Sequence, residues 1–172
     1  DEYNVLNKIK SISNAYFLLG NADFALGIVT GNNKAYISDK KTDDNEMVLK
    51  GADIRKYHIN PSANYIMFKP ESFQQIAPIE MYRAREKLLY RFISNQLVFA
   101  YDDKQTLSLN SCNIIIPRIP GVKMKYVLAI LNSRIAQFIY KKDFNSVKVL
   151  RSHIENIPIP AVDNSTQDEI IT

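Results

Sequence analysis

The chain has 172 residues, enough for one ordinary domain with a short appendage. Hydrophobic residues are 46% and charged residues 23%, which excludes wholesale disorder, and 22 Lys and Arg against 18 Asp and Glu leave a net charge of +4. A single cysteine, Cys112, excludes an internal disulfide, two histidines exclude a His-rich metal site, and no apolar run reaches the ~18 residues that a membrane span needs.

Mild basicity permits an anionic partner without demanding one. The cysteine usage points to a reducing, cytoplasmic compartment. A start at Asp1, with no signal-peptide pattern after it, leads to the expectation of a piece cut from a longer protein.

Apolar residues at Val5, Leu6, Ile9 and Ile12 have helical spacing. Phe24 to Val29 reads as a strand, Thr30-Gly31-Asn32-Asn33 as a turn, and Ala35-Tyr36-Ile37 as the returning strand of a hairpin. Asp39 to Glu46 is a charged loop and Met47 to Leu49 a short strand. Ile54 to Ile59 fits a short helix or an irregular link, and Tyr65 to Phe68 a strand before Pro70. Glu71 to Lys87 is mostly helix-tolerant, with Met81, Ala84 and Leu88 on one face after Pro78. Leu88 to Ile93 alternates like a strand as well, and periodicity leaves both readings open.

Leu97 to Tyr101, a turn at Asp102-Asp103-Lys104-Gln105, and Thr106 to Leu109 predict a second hairpin. Asn113 to Ile116 is a buried strand ending at Pro117. A single helix is predicted over 124–141, with Val127, Leu128, Leu131, Ile135, Phe138 and Ile139 in one stripe. Asn156 to Pro160 is extended and proline-stiffened, and Gln167 to Ile171 opens a further helix. The fold class is α+β: a single domain of short strands in hairpins, forming a twisted mixed sheet with a few helices.

The chain carries no phosphate-binding P-loop, no dinucleotide fingerprint, no nucleophile elbow, and no Asn-Pro-Pro-Tyr-like loop for gripping a flipped adenine. Cys112, beside the Ile run, reads as a small buried thiol, and His58 and His153 as surface or capping residues. A nuclease centre needs clustered carboxylates for a divalent metal. The two clusters present, Asp43-Asp44-Asn45-Glu46 and Asp102-Asp103, read as a solvated loop and a hairpin turn.

Basic residues interleaved with polar and aromatic ones remain. Lys and Arg neutralise phosphates, while Asn, Gln and Arg read base edges. The candidate DNA contacts are Asn32, Asn33 and Lys34 at the first hairpin tip, then Arg55 and Lys56, then Lys104, Gln105 and Thr106. Lys148 and Arg151 come last.

Five ordered segments resemble a known family, the C-terminal specificity domain of TaqI-type adenine-N6 DNA methyltransferases and type IIG restriction-modification enzymes. That domain is related to the target recognition domains of type I specificity subunits. Gly27-Ile28-Val29-Thr30-Gly31-Asn32-Asn33-Lys34-Ala35-Tyr36-Ile37 resembles the family's Gly-Ile-x-Thr-Gly-x-Asn-x-Ala-aromatic opening. Leu49-Lys50-Gly51-Ala52-Asp53-Ile54-Arg55-Lys56-Tyr57 is similar to its Leu-x-Gly-x-Asp-Ile-x-x-Tyr. Lys87 to Ile93 resembles the strand before its central hairpin, Leu131-Asn132-Ser133 its Leu-Asn-Ser helix, and Asn156 to Pro160 its Leu-Pro-Ile-Pro exit. The resemblance covers roughly residues 24 to 161 and favours strand for Leu88.

It implies a DNA target recognition domain at 23–162; the helical spacing before it gives a lead-in at 1–22, without a firm counterpart in the family, and the residues after it, 163–172, the start of a helical connector. It implies a non-catalytic module that binds duplex DNA and reads a short target. Methylation, with S-adenosylmethionine as cofactor, would belong to a separate domain or subunit of the parent, and no cofactor or metal is expected in this chain. The alternative is a domain that docks a partner subunit and has only non-specific DNA affinity.

Overall fold

The structure, a computed structural model, describes residues 1–172. Two apolar runs decide its architecture. The segments 87–91 and 112–117 are buried on both faces along nearly their whole length, as strands covered from two sides must be.

In chain order the elements are α1 (Glu2–Lys10), β1 (Ala15–Tyr16), β2 (Ala22–Ala25), the single-turn α2 (Asn33–Tyr36), β3 (Ile37–Ser38), β4 (Glu46–Leu49), β5 (Ile54–Arg55) and β6 (His58–Ile59). Then follow β7 (Tyr65–Ile66), the single-turn α3 (Ile79–Tyr82), β8 (Lys87–Arg91), β9 (Phe99–Asp102), β10 (Leu107–Ser108) and β11 (Cys112–Pro117). The last are α4 (Met124–Leu131), α5 (Arg134–Asp143), α6 (Arg151–Glu155), β12 (Ile159–Pro160) and α7 (Asn164–Ile171).

The central sheet runs β2-β11-β8-β9, with every neighbour antiparallel. Successive side chains point to opposite faces, so its apolar residues divide between two cores. Leu88, Tyr90, Phe99 and Ile115 face α4, α5 and α6. Leu89, Ala100, Ile114 and Ile116 face a smaller sheet, ordered β10-β4-β7-β3. Helices, central sheet and small sheet therefore stack in layers, an α+β arrangement. Burying each Leu of β8 contributes about 2 kcal/mol, and both are 0% exposed.

Neither expected hairpin forms. The run Phe24 to Val29 divides: Phe24 and Ala25 pair with β11, whereas Ile28 and Val29 bridge Leu109 and Gln75. The chain crosses between sheets at Gly27, whose N–H donates to Asn113 Oδ1 (2.9 Å). A Cβ on Gly27 would lie 2.1 Å from the Leu109 carbonyl oxygen, so only glycine fits this close approach. Asn32 and Asn33 are thus not a hairpin tip; Asn32 precedes α2, which leads into β3. In the same way β9 pairs with β8 while β10 runs parallel to β4, and residues 103–106 cross between the sheets.

The helix predicted over 124–141 is broken at Asn132-Ser133, where the Ser133 hydroxyl accepts the Ala136 N–H (3.1 Å) and starts α5. Ile54 to Ile59 forms a two-strand hairpin, β5–β6. Between 71 and 87 only Ile79–Tyr82 is α-helical, and Leu88 lies in β8. The proline-stiffened exit contributes β12, paired with β1. Helix α1 forms where predicted, buries no residue, and is tied to α5 by Lys10–Asp143 (2.9 Å) and Lys142–Glu2 ion pairs.

Candidate nucleic-acid interface

Strand β9 is an edge of the central sheet, and its Phe99 is met from two directions. The Asn132 side chain acts as a strand would: Oδ1 accepts the Phe99 N–H and Nδ2 donates to the Phe99 carbonyl, both at 2.9 Å. The same carbonyl accepts the Tyr57 N–H (2.9 Å). Lys56 Nζ donates to the Asn132 carbonyl (3.0 Å), at the end of α4 where carbonyls lack helical partners. Two of the sequence segments, Leu49 to Tyr57 and Leu131 to Ser133, therefore converge on one residue.

Gly51 explains why the first of these can approach. Its N–H donates to Ser111 Oγ (3.0 Å), and a Cβ there would stand 2.5 Å from the Ser111 carbonyl oxygen. Gly27 and Gly51 thus serve close approach. Gly31, at φ +81°, serves turn geometry.

Across from the β5–β6 hairpin lies the 103–106 crossover, anchored from inside the protein. Asp102, 3% exposed, accepts from Lys87 Nζ (2.7 Å), the Thr106 hydroxyl (2.7 Å) and the Thr106 N–H (3.0 Å). Lys87 is 0% exposed and also donates to the Tyr82 carbonyl (2.7 Å). Burial lowers its pKa, against the pull of Asp102. A carboxylate so fully engaged is a structural pin, not a metal ligand. Arg83 holds the outside of the crossover, donating to the Gln105 carbonyl (3.0 Å) and pairing with both Glu46 oxygens (2.8 and 2.5 Å). The Glu46 hydrogen bonds raise its already high pKa, against desolvation.

Between hairpin and crossover opens a cleft of about 360 Å³, lined by Tyr57, His58, Pro61, Tyr101, Asp103 and Lys104 among others. The structure thus brings Lys104 and Thr106 to one cleft beside Arg55 and Lys56. Their side chains are not equally free. The Arg55 guanidinium donates to the Ala52 and Ile54 carbonyls (3.0 and 3.3 Å), Lys56 is held at Asn132, and Thr106 is held at Asp102. Lys104 and Gln105 are exposed.

Asn32, Asn33 and Lys34 form a second exposed group beside Gln74. Thr30 Oγ1 donates to Asn33 Oδ1 (2.6 Å) and accepts the Asn32 N–H (3.2 Å), so the first turn of this segment is fixed. Lys148 and Arg151 lie elsewhere. Lys148 bridges Ile93, and Arg151 stacks over Phe24 of β2 (4.7 Å), at the opposite edge of the sheet from β9, while pairing with Glu155 (3.1 Å).

Cys112 is fully buried, and desolvation pushes its thiol pKa up. His58 is exposed, and His153 caps the N-terminus of α6, its Nδ1 accepting the Leu150 N–H (3.1 Å). Sequence reasoning missed the Lys87–Asp102 pair and the edge-capping role of Asn132. A lysine opening an otherwise apolar strand is the one local sign of the former.

No curated protein matches the chain by sequence. Among solved structures, it is similar to the HsdS subunit from Thermoanaerobacter tengcongensis (TM-score 0.57, 13% identity). It is also similar to a structure describing complex assembly and conformational transition of the type I R-M system (TM-score 0.63, 12% identity). A third similar structure is that of the type IIG restriction endonuclease BpuSI (TM-score 0.60, 11% identity). Each similarity covers 99% of this chain, which spans only 41%, 41% and 27% of those chains. At such identities they speak for the fold. The family described as TaqI-like C-terminal specificity domain matches residues 46–159, from β4 through β12, and includes the hairpin, the crossover and Asn132. With two thirds of its length matched, this chain belongs to the TaqI-like C-terminal specificity domain family.

Proposed function

We propose that the chain is the DNA target recognition module of a restriction-modification enzyme. It has no reaction of its own, as befits a specificity domain. It grips duplex DNA and presents it to a separate adenine-N6 methyltransferase domain or subunit, where S-adenosylmethionine would bind. The observation that carries this reading is the cleft beside β9. Two segments there are fixed from behind, by Asn132 and by the Lys87–Asp102 pair, yet leave Lys104 and Gln105 exposed to an approaching polyanion. Rigid placement matters because ordering side chains on binding costs affinity. Asn32, Asn33 and Lys34 form a second contact group, and Lys148 and Arg151 a third. Phosphate contacts set register, and Asn or Gln contacts carry base identity.

The test is a salt titration of the chain on a pool of random duplexes, with sequencing of the retained fraction. Recognition yields an enriched motif and affinity that falls steeply with salt. Absence of binding at low salt would defeat the reading. A second reading rests on Tyr3, Val5, Ile12, Phe17, Leu19 and Ile135, all large apolar residues left exposed. Such residues suit docking to the remainder of a parent enzyme, and that role would accompany DNA recognition.

A further inference from the structure

The loop of the β5–β6 hairpin holds a residue that its geometry disfavours. Arg55 pairs with His58, so Lys56 and Tyr57 alone make the turn. Tyr57 has φ +66°, a left-handed conformation that favours Gly or Asn. Strain of this kind persists where surrounding structure overdetermines it, and it clusters at functional sites. Burial does not compensate here, because Tyr57 remains 56% exposed. The overdetermination lies in hydrogen bonds instead: the Phe99 carbonyl accepts the Tyr57 N–H (2.9 Å), and the Asn132 carbonyl accepts from Nζ of the preceding Lys56 (3.0 Å). An exposed ring is thereby presented on a rigid mount.

The ring lines the 360 Å³ cleft, within the range of about 300–1,000 Å³ usual for small-ligand pockets. Lys104 and His58 share the lining with it; of the two carboxylates there, Asp102 is paired with Lys87, and Asp103 lies next to Lys104 at the exposed rim. An aromatic face beside a free ammonium matches a nucleotide: ring on base, cation on phosphate. We propose that Tyr57 is a stacking residue, whose ring takes the face of a DNA base exposed where the bound duplex opens or bends. This rests on the DNA-recognition reading above and names the residue and contact within it.

The test compares wild type with Tyr57→Gly and Tyr57→Phe, in DNA affinity across a salt series and in denaturant midpoint. The ligand is the random-sequence duplex pool. Glycine relieves the left-handed strain, so Tyr57→Gly is expected to raise the midpoint while weakening DNA binding about 10-fold or more, with the salt slope unchanged. Tyr57→Phe is expected to bind like wild type, because stacking needs no hydroxyl. A merely structural tyrosine would lower midpoint and affinity together, which would overturn the proposal. So would unchanged affinity in Tyr57→Gly, or equal losses in the Phe and Gly variants. In those cases wild-type binding would leave the recognition reading standing. A wild-type chain that binds no DNA would remove both.

Discussion

The Asn132 side-chain amide bonds both the N–H and the carbonyl of Phe99, 33 residues away, at 2.9 Å each. One side chain thereby imitates a stretch of neighbouring strand. Asn132 is 4% exposed and Phe99 0%, so water does not replace these bonds when they are lost. Asn132→Ala is expected to cost about 2–4 kcal/mol, from buried polar groups left without partners. Asn132→Asp keeps the acceptor but sets a carboxylate against the Phe99 carbonyl, and should do no better. Urea unfolding of both variants measures this.

The buried Lys87–Asp102 pair makes a different prediction. Removing one member leaves a charge in the interior, and Lys87→Met is expected to cost about 3–5 kcal/mol. Replacing both, as Lys87→Met with Asp102→Leu, removes the stranded charge and should recover much of that loss. A double-mutant cycle by chemical denaturation reads the coupling. An additive result would show that the pair does not act as a unit.

Lys104 and Lys56 separate contact from support. Lys104→Ala should leave stability unchanged and lower the salt slope of DNA binding by about 1. Lys56→Ala removes the bond to the Asn132 carbonyl and should lower stability by about 1–2 kcal/mol. Equal salt-slope changes with no stability cost in either variant would contradict this division.

His153 provides a pH dependence. Its Nδ1 accepts the Leu150 N–H, so the ring must be neutral there, and desolvation lowers its pKa below the ordinary 6.5. A lowered folded pKa means that protons bind the unfolded chain more readily. The stabilisation is therefore full above pH 6.5 and is lost as pH falls from there toward the folded pKa. His153→Phe should flatten this part of the stability profile while lowering stability at pH 7, where the cap is missing. Thermal unfolding from pH 5 to 8 checks both.

The close-approach glycines give the largest steric effects. Gly51→Ala places a methyl 2.5 Å from the Ser111 carbonyl oxygen and Gly27→Ala one 2.1 Å from that of Leu109. Both oxygens are backbone and cannot swing aside. A loss of about 3 kcal/mol or more is expected in each, read as a lowered Tm.

The sequence pattern alone gave the buried strand at Ile114-Ile115-Ile116, whereas Leu88-Leu89-Tyr90 read equally as helix or strand until the family resemblance favoured strand. Such patterns misled wherever a run changes sheets. Phe24 to Val29 and Leu97 to Leu109 read as hairpin strands, but a local pattern does not say which strand is the partner. The partners were set by Gly27 and by Asp102, whose roles depend on residues far along the chain. The 124–141 stripe hid its break because Asn and Ser fit a helix surface, and only Phe99 explains why Asn132 leaves it. For the candidate interface, residue types were legible and availability was not. Lys56 and Thr106 read as contacts, and their bonds to Asn132 and Asp102 were not visible in the sequence.

The pairing of Ala15 with Pro160 and of Tyr16 with Ile159 has a consequence for synthesis. The segment that completes this pairing is translated long after its partner, and β2 must likewise wait for β11. A ribosome releases the early strands long before their partners exist. During that interval the apolar stretch around Phe24 and Ile28 is uncovered, so this chain should depend on chaperones during translation more than a fold of sequence neighbours would.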